Sequence, residues 1–119
     1  MRSSILSASL FLCIVLPLSA NAMNLRFLKD APIAKMNSAD FGLMSKAADK
    51  ALTDAKDNES INWQNPETGS RGTLTPLSTY KAHNTTCRKL KLFNEAGGVS
   101  ASNEIDCCLA GDGKWKILK

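Results

Sequence analysis

Three patterns of apolar positions follow one another along the chain. Over residues 5–18 (ILSASLFLCIVLPL) they are nearly continuous. Over residues 38–58 (SADFGLMSKAADKALTDAKDN) they recur every three or four positions. Phe41, Met44, Ala48, Ala51, Leu52 and Ala55 there share one face, and Lys46, Asp49, Lys50, Asp54 and Lys56 fall largely outside it, which predicts an amphipathic helix. Ser38 suits its N-cap, and Asp40 lies in the first turn, where the helix dipole favours a negative charge. Gly42 weakens it locally by about 1 kcal/mol relative to alanine. The apolar stripe is mostly alanine, which allows close approach to a flat surface and suits a sheet better than a coiled-coil seam.

From residue 61 the period changes to two. Residues 61–65 form a short strand, residues 65–70 (NPETGS) a turn cluster, and residues 72–75 the return strand. Pro76 has no N–H to donate and limits that strand. Residues 77–84 wander, with Tyr80 as their anchor. Residues 85–93 (TTCRKLKLF) are the clearest strand, with Cys87, Lys89, Lys91 and Phe93 on one side and Arg88, Leu90 and Leu92 on the other. A loop at 94–98, a partner strand at 99–109, an Asp-Gly turn at 110–113 and a last strand at 114–118, with Trp115 and Ile117 on one face, complete the chain. The expected fold class is α+β: one helix packed on a small antiparallel meander of four or five strands.

Composition adds a compartment. The apolar run at 5–18 follows Arg2, contains Pro17 and ends at Ala20-Asn21-Ala22, so residues 1–22 read as a secretory signal peptide rather than a membrane anchor. Leu12 before Cys13 does not suit lipoprotein processing. Removing 22 of the 119 residues leaves 97, one small domain at 38–119 behind a linker at 23–37. Removing Arg2 from 15 basic residues leaves 14 against 11 acidic ones, a balance that implies no nucleic-acid partner. Cys87, Cys107 and Cys108 remain, and export makes a disulfide expected, with one thiol left over. Their spacing and the lone His83 match no zinc pattern, so no metal and no cofactor are expected.

The residues then resemble a family. Trp63, Asn65-Pro66, Thr68-Gly69, Gly72 and Thr75-Pro76 are similar to the W-x-N-P-x-T-G-x-x-G-x-x-T-P segment of the bacterial seventeen-kilodalton surface antigens. Cys87-Arg88 resembles the family's C-R, and Cys108 with Asp112-Gly113 and Trp115 its closing C-x-x-x-D-G-x-W. The likeness runs from about residue 41 to residue 118. It departs in having no lipobox, no glycine-zipper region, Leu109 in place of a basic residue, and Cys107 as an extra thiol. The resemblance implies an exported cell-envelope protein, periplasmic or at the outer membrane, with no enzymatic activity.

It also aligns Cys108, rather than the alternative Cys107, as the partner of Cys87. Closing a loop of that size is worth roughly 3 kcal/mol in the chain-entropy model. Cys107 is then a buried thiol or the link of a dimer, the protein otherwise being a monomer. Trp63 and Trp115 are expected as structural anchors against the alanine face. Glu67, Ser70 and Arg71 are the candidate contact residues of the turn, toward an unknown envelope protein or polymer. As a second reading, the loop makes the chain a periplasmic binding or inhibitor module for an exported enzyme. Arg71, Arg88, Lys89 and Lys91 suit either a solvated strand face or peripheral contact with anionic envelope lipid. His83 has no nucleophile or carboxylate partner, and Glu104 and Asp106 have no opposing carboxylate, so no catalytic set is expected.

Overall fold

A computed structural model describes residues 31–118. The expected signal peptide and the first part of the expected linker lie outside the described residues. The elements are a 3-10 turn (Pro32–Lys35), helix α1 (Ser38–Asp54) and strands β1 (Ile61–Gln64), β2 (Arg71–Ala82), β3 (Thr85–Ala96), β4 (Val99–Leu109) and β5 (Trp115–Ile117). The strands form one antiparallel sheet in sequence order, a meander, with α1 packed on one face.

Helix α1 starts one residue earlier in its cap than the sequence suggests. Asn37, not Ser38, is the N-cap: its side chain accepts from the Asp40 N–H at 2.8 Å, and the Asp40 carboxylate accepts from the Asn37 N–H at 3.0 Å. This reciprocal capping box satisfies two backbone donors that the helix leaves free. The helix ends at Asp54 rather than near residue 58, with Ala55 extended at its C-cap. Residues 31–37, expected as linker, belong to the packed unit: Pro32 and Met36 are buried, and Met36 joins the core.

The larger difference is β2. It runs straight through Pro76 to Ala82, so residues 77–82 are strand rather than wandering chain, and Pro76 is not a stop. Strand β1 pairs β2 only as far as Leu74, so Pro76 sits on an outer edge where no ladder donor is needed. Its carbonyl there accepts from the Asn58 N–H at 2.6 Å. The register shifts once, between Pro76 and Ser78. The β2–β3 turn is His83-Asn84, both at positive φ (52° and 61°), the backbone that a two-residue hairpin of right-handed twist requires.

The sheet's two faces differ as its alternation dictates. Facing the helix are Ile61, Trp63, Leu74, Leu90, Ala96 and Cys107, packed with Ala47, Ala51 and Leu52 of α1. Cross-strand rows such as Trp63–Gly72–Asn94–Ala101 hold this register. The opposite face carries Lys89, Lys91 and Phe93 on β3 and Ser102, Glu104 and Asp106 facing them on β4. Trp115 is half-buried on the helix side, and its indole N–H donates to the Thr53 hydroxyl at 3.2 Å. Ile117, opposite Cys107, shares that side as expected but is 62% exposed on a three-residue edge strand.

Cys87 and Cys108 stand directly opposite on β3 and β4 and form a disulfide, with Cα atoms 4.0 Å apart. Successive strand residues face opposite sides, so Cys107 points into the core and is 3% exposed. Burial, and secondarily the Asp106 charge, push its thiol up. We expect native protein at pH 8 to leave Cys107 unmodified by iodoacetamide. Unfolding without reductant should release one thiol among Cys87, Cys107 and Cys108, counted by mass spectrometry.

Candidate functional site

The β1–β2 connection, Asn65 to Arg71, is the best-built loop of the molecule. Asn65 organises it. Its carbonyl accepts from the N–H groups of Thr68 (3.2 Å) and Gly69 (2.8 Å), its N–H donates to the Ser70 carbonyl (2.8 Å), and its side-chain oxygen accepts from the Glu67 N–H (3.1 Å). An asparagine favours such a turn because its side chain mimics a backbone carbonyl. Gly69 sits at φ 79°, where a side chain would strain the backbone.

Beneath the loop is a buried carboxylate. Asp40 is 0% exposed and accepts from the Asn65 amide and the Thr68 hydroxyl, both at 2.8 Å, as well as from its own helix cap. Burial pushes this carboxyl up, but the hydrogen bonds from Asn37, Thr68 and Asn65 outweigh it and hold the group below its ordinary value. The first turn of α1 is thereby fastened to the loop. The other end of α1 has no basic residue in its last turn. Arg88 of β3 supplies one: its guanidinium donates to the carbonyls of Ala51 (3.1 Å) and Leu52 (2.8 Å), the Thr79 hydroxyl (2.9 Å) and the Asp57 carboxylate (2.9 Å). A cation at the carbonyl end of a helix satisfies orphan acceptors and opposes the dipole. The Arg88 hydrogen bond, with a lesser one from Thr79, also holds the Asp57 carboxyl down.

These two depressed carboxyls set the acid response. A folded-state pKa below the unfolded value gives stability that is complete above the unfolded value and is lost as pH falls through the folded one. Both start from an ordinary value of 3.8. We expect the thermal midpoint to hold down to about pH 4 and to drop below it. In Asp40→Asn the midpoint should be lower at neutral pH, and its deficit against the parent should shrink on acidification. A constant deficit from pH 6 to 2 would remove this role for Asp40.

The structure sorts the sequence-predicted contact residues. Glu67 and Arg71 are exposed, with Arg71 reaching Glu95 at 3.2 Å. Ser70 is 3% exposed and its N–H donates to the Thr68 hydroxyl, so it lies inside the loop rather than at its surface. Arg71, Arg88, Lys89 and Lys91 do not share one face. Arg88 turns to the helix side, 7% exposed, because the strand places it with Leu90. Lys89 pairs with Asp106 at 3.4 Å, and the Tyr80 hydroxyl donates to the same carboxylate at 2.8 Å. Only Lys91 of the four is without an acidic partner among the described residues. Trp63 is buried and lies across Gly72, its indole N–H donating to Asn94 Oδ1 at 3.1 Å. Beside it a shallow groove on the uncovered face is lined by Asn62, Gln64, Arg71, Thr73 and Phe93.

Sequence reasoning missed Asp40 and Arg88 as joints. The available signal was the pairing of Asn65 with Thr68, two small polar side chains inside one turn, which call for a shared acceptor. Among the described residues, no three His, Cys, Asp or Glu side chains are grouped to hold a metal ion. No helix among them is long and apolar enough to cross a membrane.

Residues 50–116 match the family model described as 17 kDa outer membrane surface antigen. Similar proteins include the 17 kDa surface antigen of Rickettsia bellii (strain RML369-C), 32% identical over 87 residues, covering 71% of this chain and 54% of that protein. Those of Rickettsia japonica (strain ATCC VR-1363 / YH), 30% identical over 88 residues, and Rickettsia prowazekii (strain Madrid E), 29% over 80, cover 71% and 66% of this chain and 54% and 50% of theirs. The chain thus spans about half the length of the curated relatives it matches. No solved structure matches it.

Proposed function

The chain belongs to the 17 kDa outer membrane surface antigen family, and from that membership we propose that it is an exported, non-enzymatic component of a bacterial cell envelope that acts by association. One observation carries this reading: the family-like motif residues build joints rather than a reaction site. Asn65 and Thr68 hold Asp40, Gly72 admits Trp63, Arg88 caps α1, and Trp115 reaches Thr53. Such residues fix a scaffold, and what they leave free is the outer face of the sheet and the tip of the Asn65–Ser70 loop.

The loop favours a contact role in particular. Its backbone is held by four hydrogen bonds through Asn65, so presenting Glu67 and Arg71 to a partner costs little ordering entropy. An envelope protein or polymer of mixed charge fits those two side chains, and the binding or inhibitor reading uses the same surface. Fractionation of producing cells, followed by protease treatment of intact cells, tests the location. Recovery in the cytoplasm would overturn the proposal. Pull-down from envelope extracts with the parent and with Glu67→Ala/Arg71→Ala tests the loop. Equal recovery of partners would remove the loop but leave the envelope assignment standing.

A further inference from the structure

Among the described residues, one outer edge of the sheet is protected and the other is not. On the first, β1 is four residues long, and beyond it β2 carries Pro76 and receives Asn58. On the second, β5 covers only Cys107, Cys108 and Leu109. The Leu118 N–H donates to the Asp106 carbonyl, so Asp106 directs its backbone groups outward, away from β3. By strand alternation Glu104, Ser102 and Ser100 do the same. Nothing among the described residues pairs with them. Their ladder to β3 is unbroken, and the stretch 99–105 has no bulge, proline or lysine, the devices that blunt an exposed edge.

We propose that this edge pairs with the β4 edge of a second copy of the chain, antiparallel and centred on Ser102. Three features select that occupant and register. The free edge is bounded by the Gly97-Gly98 turn at one end and β5 at the other. A pairing centred on Ser102 sets residue 99 against residue 105 of the second copy, filling the edge without meeting β5; centring on Asn103 would run residue 99 into the position that β5 holds at Cys107. It also places Val99 against Ile105 of the second copy twice over, joining two half-buried apolar side chains on the helix side. The charges agree as well: Glu104 faces Ser100 of the second copy, whereas centring on Glu104 would oppose two carboxylates. The outward groups of Ser100, Ser102 and Glu104 on each copy would then make about six interchain backbone hydrogen bonds.

The test uses the purified chain in sedimentation equilibrium together with two cysteine variants. The parent is expected to be a dimer. Ser102→Pro removes one outward N–H and no bond to β3, and it should be monomeric with an unchanged circular dichroism spectrum. Under mild oxidation Ser102→Cys should form a reducible dimer at least about tenfold faster than Asn103→Cys, because only residue 102 meets its own copy. A monomeric parent would overturn the proposal, as would equal cross-linking of the two cysteine variants. A monomer whose Ser100, Ser102 and Glu104 amides resist hydrogen exchange would show that another strand occupies the edge, and would overturn it equally. If Ser102→Pro fails to fold, the cysteine pair decides alone.

Discussion

Gly72→Ala is expected to abolish the native fold. A Cβ at this position would clash with the Phe93 carbonyl oxygen of the neighbouring strand, and it would lie 2.5 Å from Asn94 Oδ1 and 2.6 Å from Trp63 Nε1. The side chains can yield, but the carbonyl belongs to the β2–β3 ladder and can move only by breaking it. Substitutions costing more than about 4 kcal/mol are exceptional, and this one has the mechanism: overpacking against backbone in the middle of a sheet. The measurement is the circular dichroism spectrum and urea midpoint of the variant. Two comparisons locate the cause. Gly42→Ala meets nothing within 4 Å and lies in a helix, so it should be neutral or stabilising by up to about 1 kcal/mol. Gly72→Ala combined with Trp63→Leu should not recover the fold, since the carbonyl contact persists. Recovery would mean that the indole alone made the glycine necessary.

The second large effect is expected at Arg88. Arg88→Ala leaves the Leu52 carbonyl without its donor at a buried helix end, takes one of two donors from the Ala51 carbonyl, which keeps the Ala55 N–H, and removes the stem packing beneath α1. A buried acceptor left unpaired costs roughly 1–3 kcal/mol, so with the lost packing the loss should be about 2–3 kcal/mol. Arg88→Lys should recover little of it, because a single ammonium cannot span two carbonyls, a hydroxyl and a carboxylate. Asp57→Asn should cost much less than Arg88→Ala, since Asp57 is partly exposed and Arg88 keeps its helix contacts. Urea unfolding of the three variants checks the order. An Arg88→Ala protein as stable as the parent would mean that water replaces the guanidinium at the helix end.

The parts of the fold legible in the sequence were those set by period. The three-to-four spacing placed α1, the alternation placed β1, β3 and β4, and the family-like motif picked Cys108 over Cys107, which the opposed Cα positions explain. The continuation of β2 was hidden for two physical reasons. Pro76 reads as a strand stop unless the strand is known to lie at an edge, and His83-Asn84 adopts a positive-φ hairpin without the glycine that usually announces one. The alternation places Arg88 with Leu90 and Leu92, but a charged residue between lysines still reads as solvated. Its burial depends on a helix end that only the tertiary fold brings to it. Asp40 reads in sequence as a favourable first-turn charge, while its role as acceptor for Asn65 and Thr68 needs the folded loop. The exposure of the β1–β2 loop is half legible: Glu67 and Arg71 are exposed, while Ser70 looks polar in sequence and is enclosed by its own turn.

The two fastenings of α1 also set an order of assembly. A chain is made from its amino end, so the helix sequence appears before Asn65, Thr68 and Arg88, and long before Trp115. A 17-residue helix with a glycine near its start is marginal on its own in water. Its apolar stripe is mostly alanine and gives little reason to collapse early. The β2–β3 and β3–β4 hairpins, closed by two-residue turns, bring together neighbours in sequence, and such local contacts form fastest. The helix is therefore expected to dock last, when the sheet presents both its anchors. On this order the helix is expected to stay undocked until Asn65, Thr68 and Arg88 have all been made.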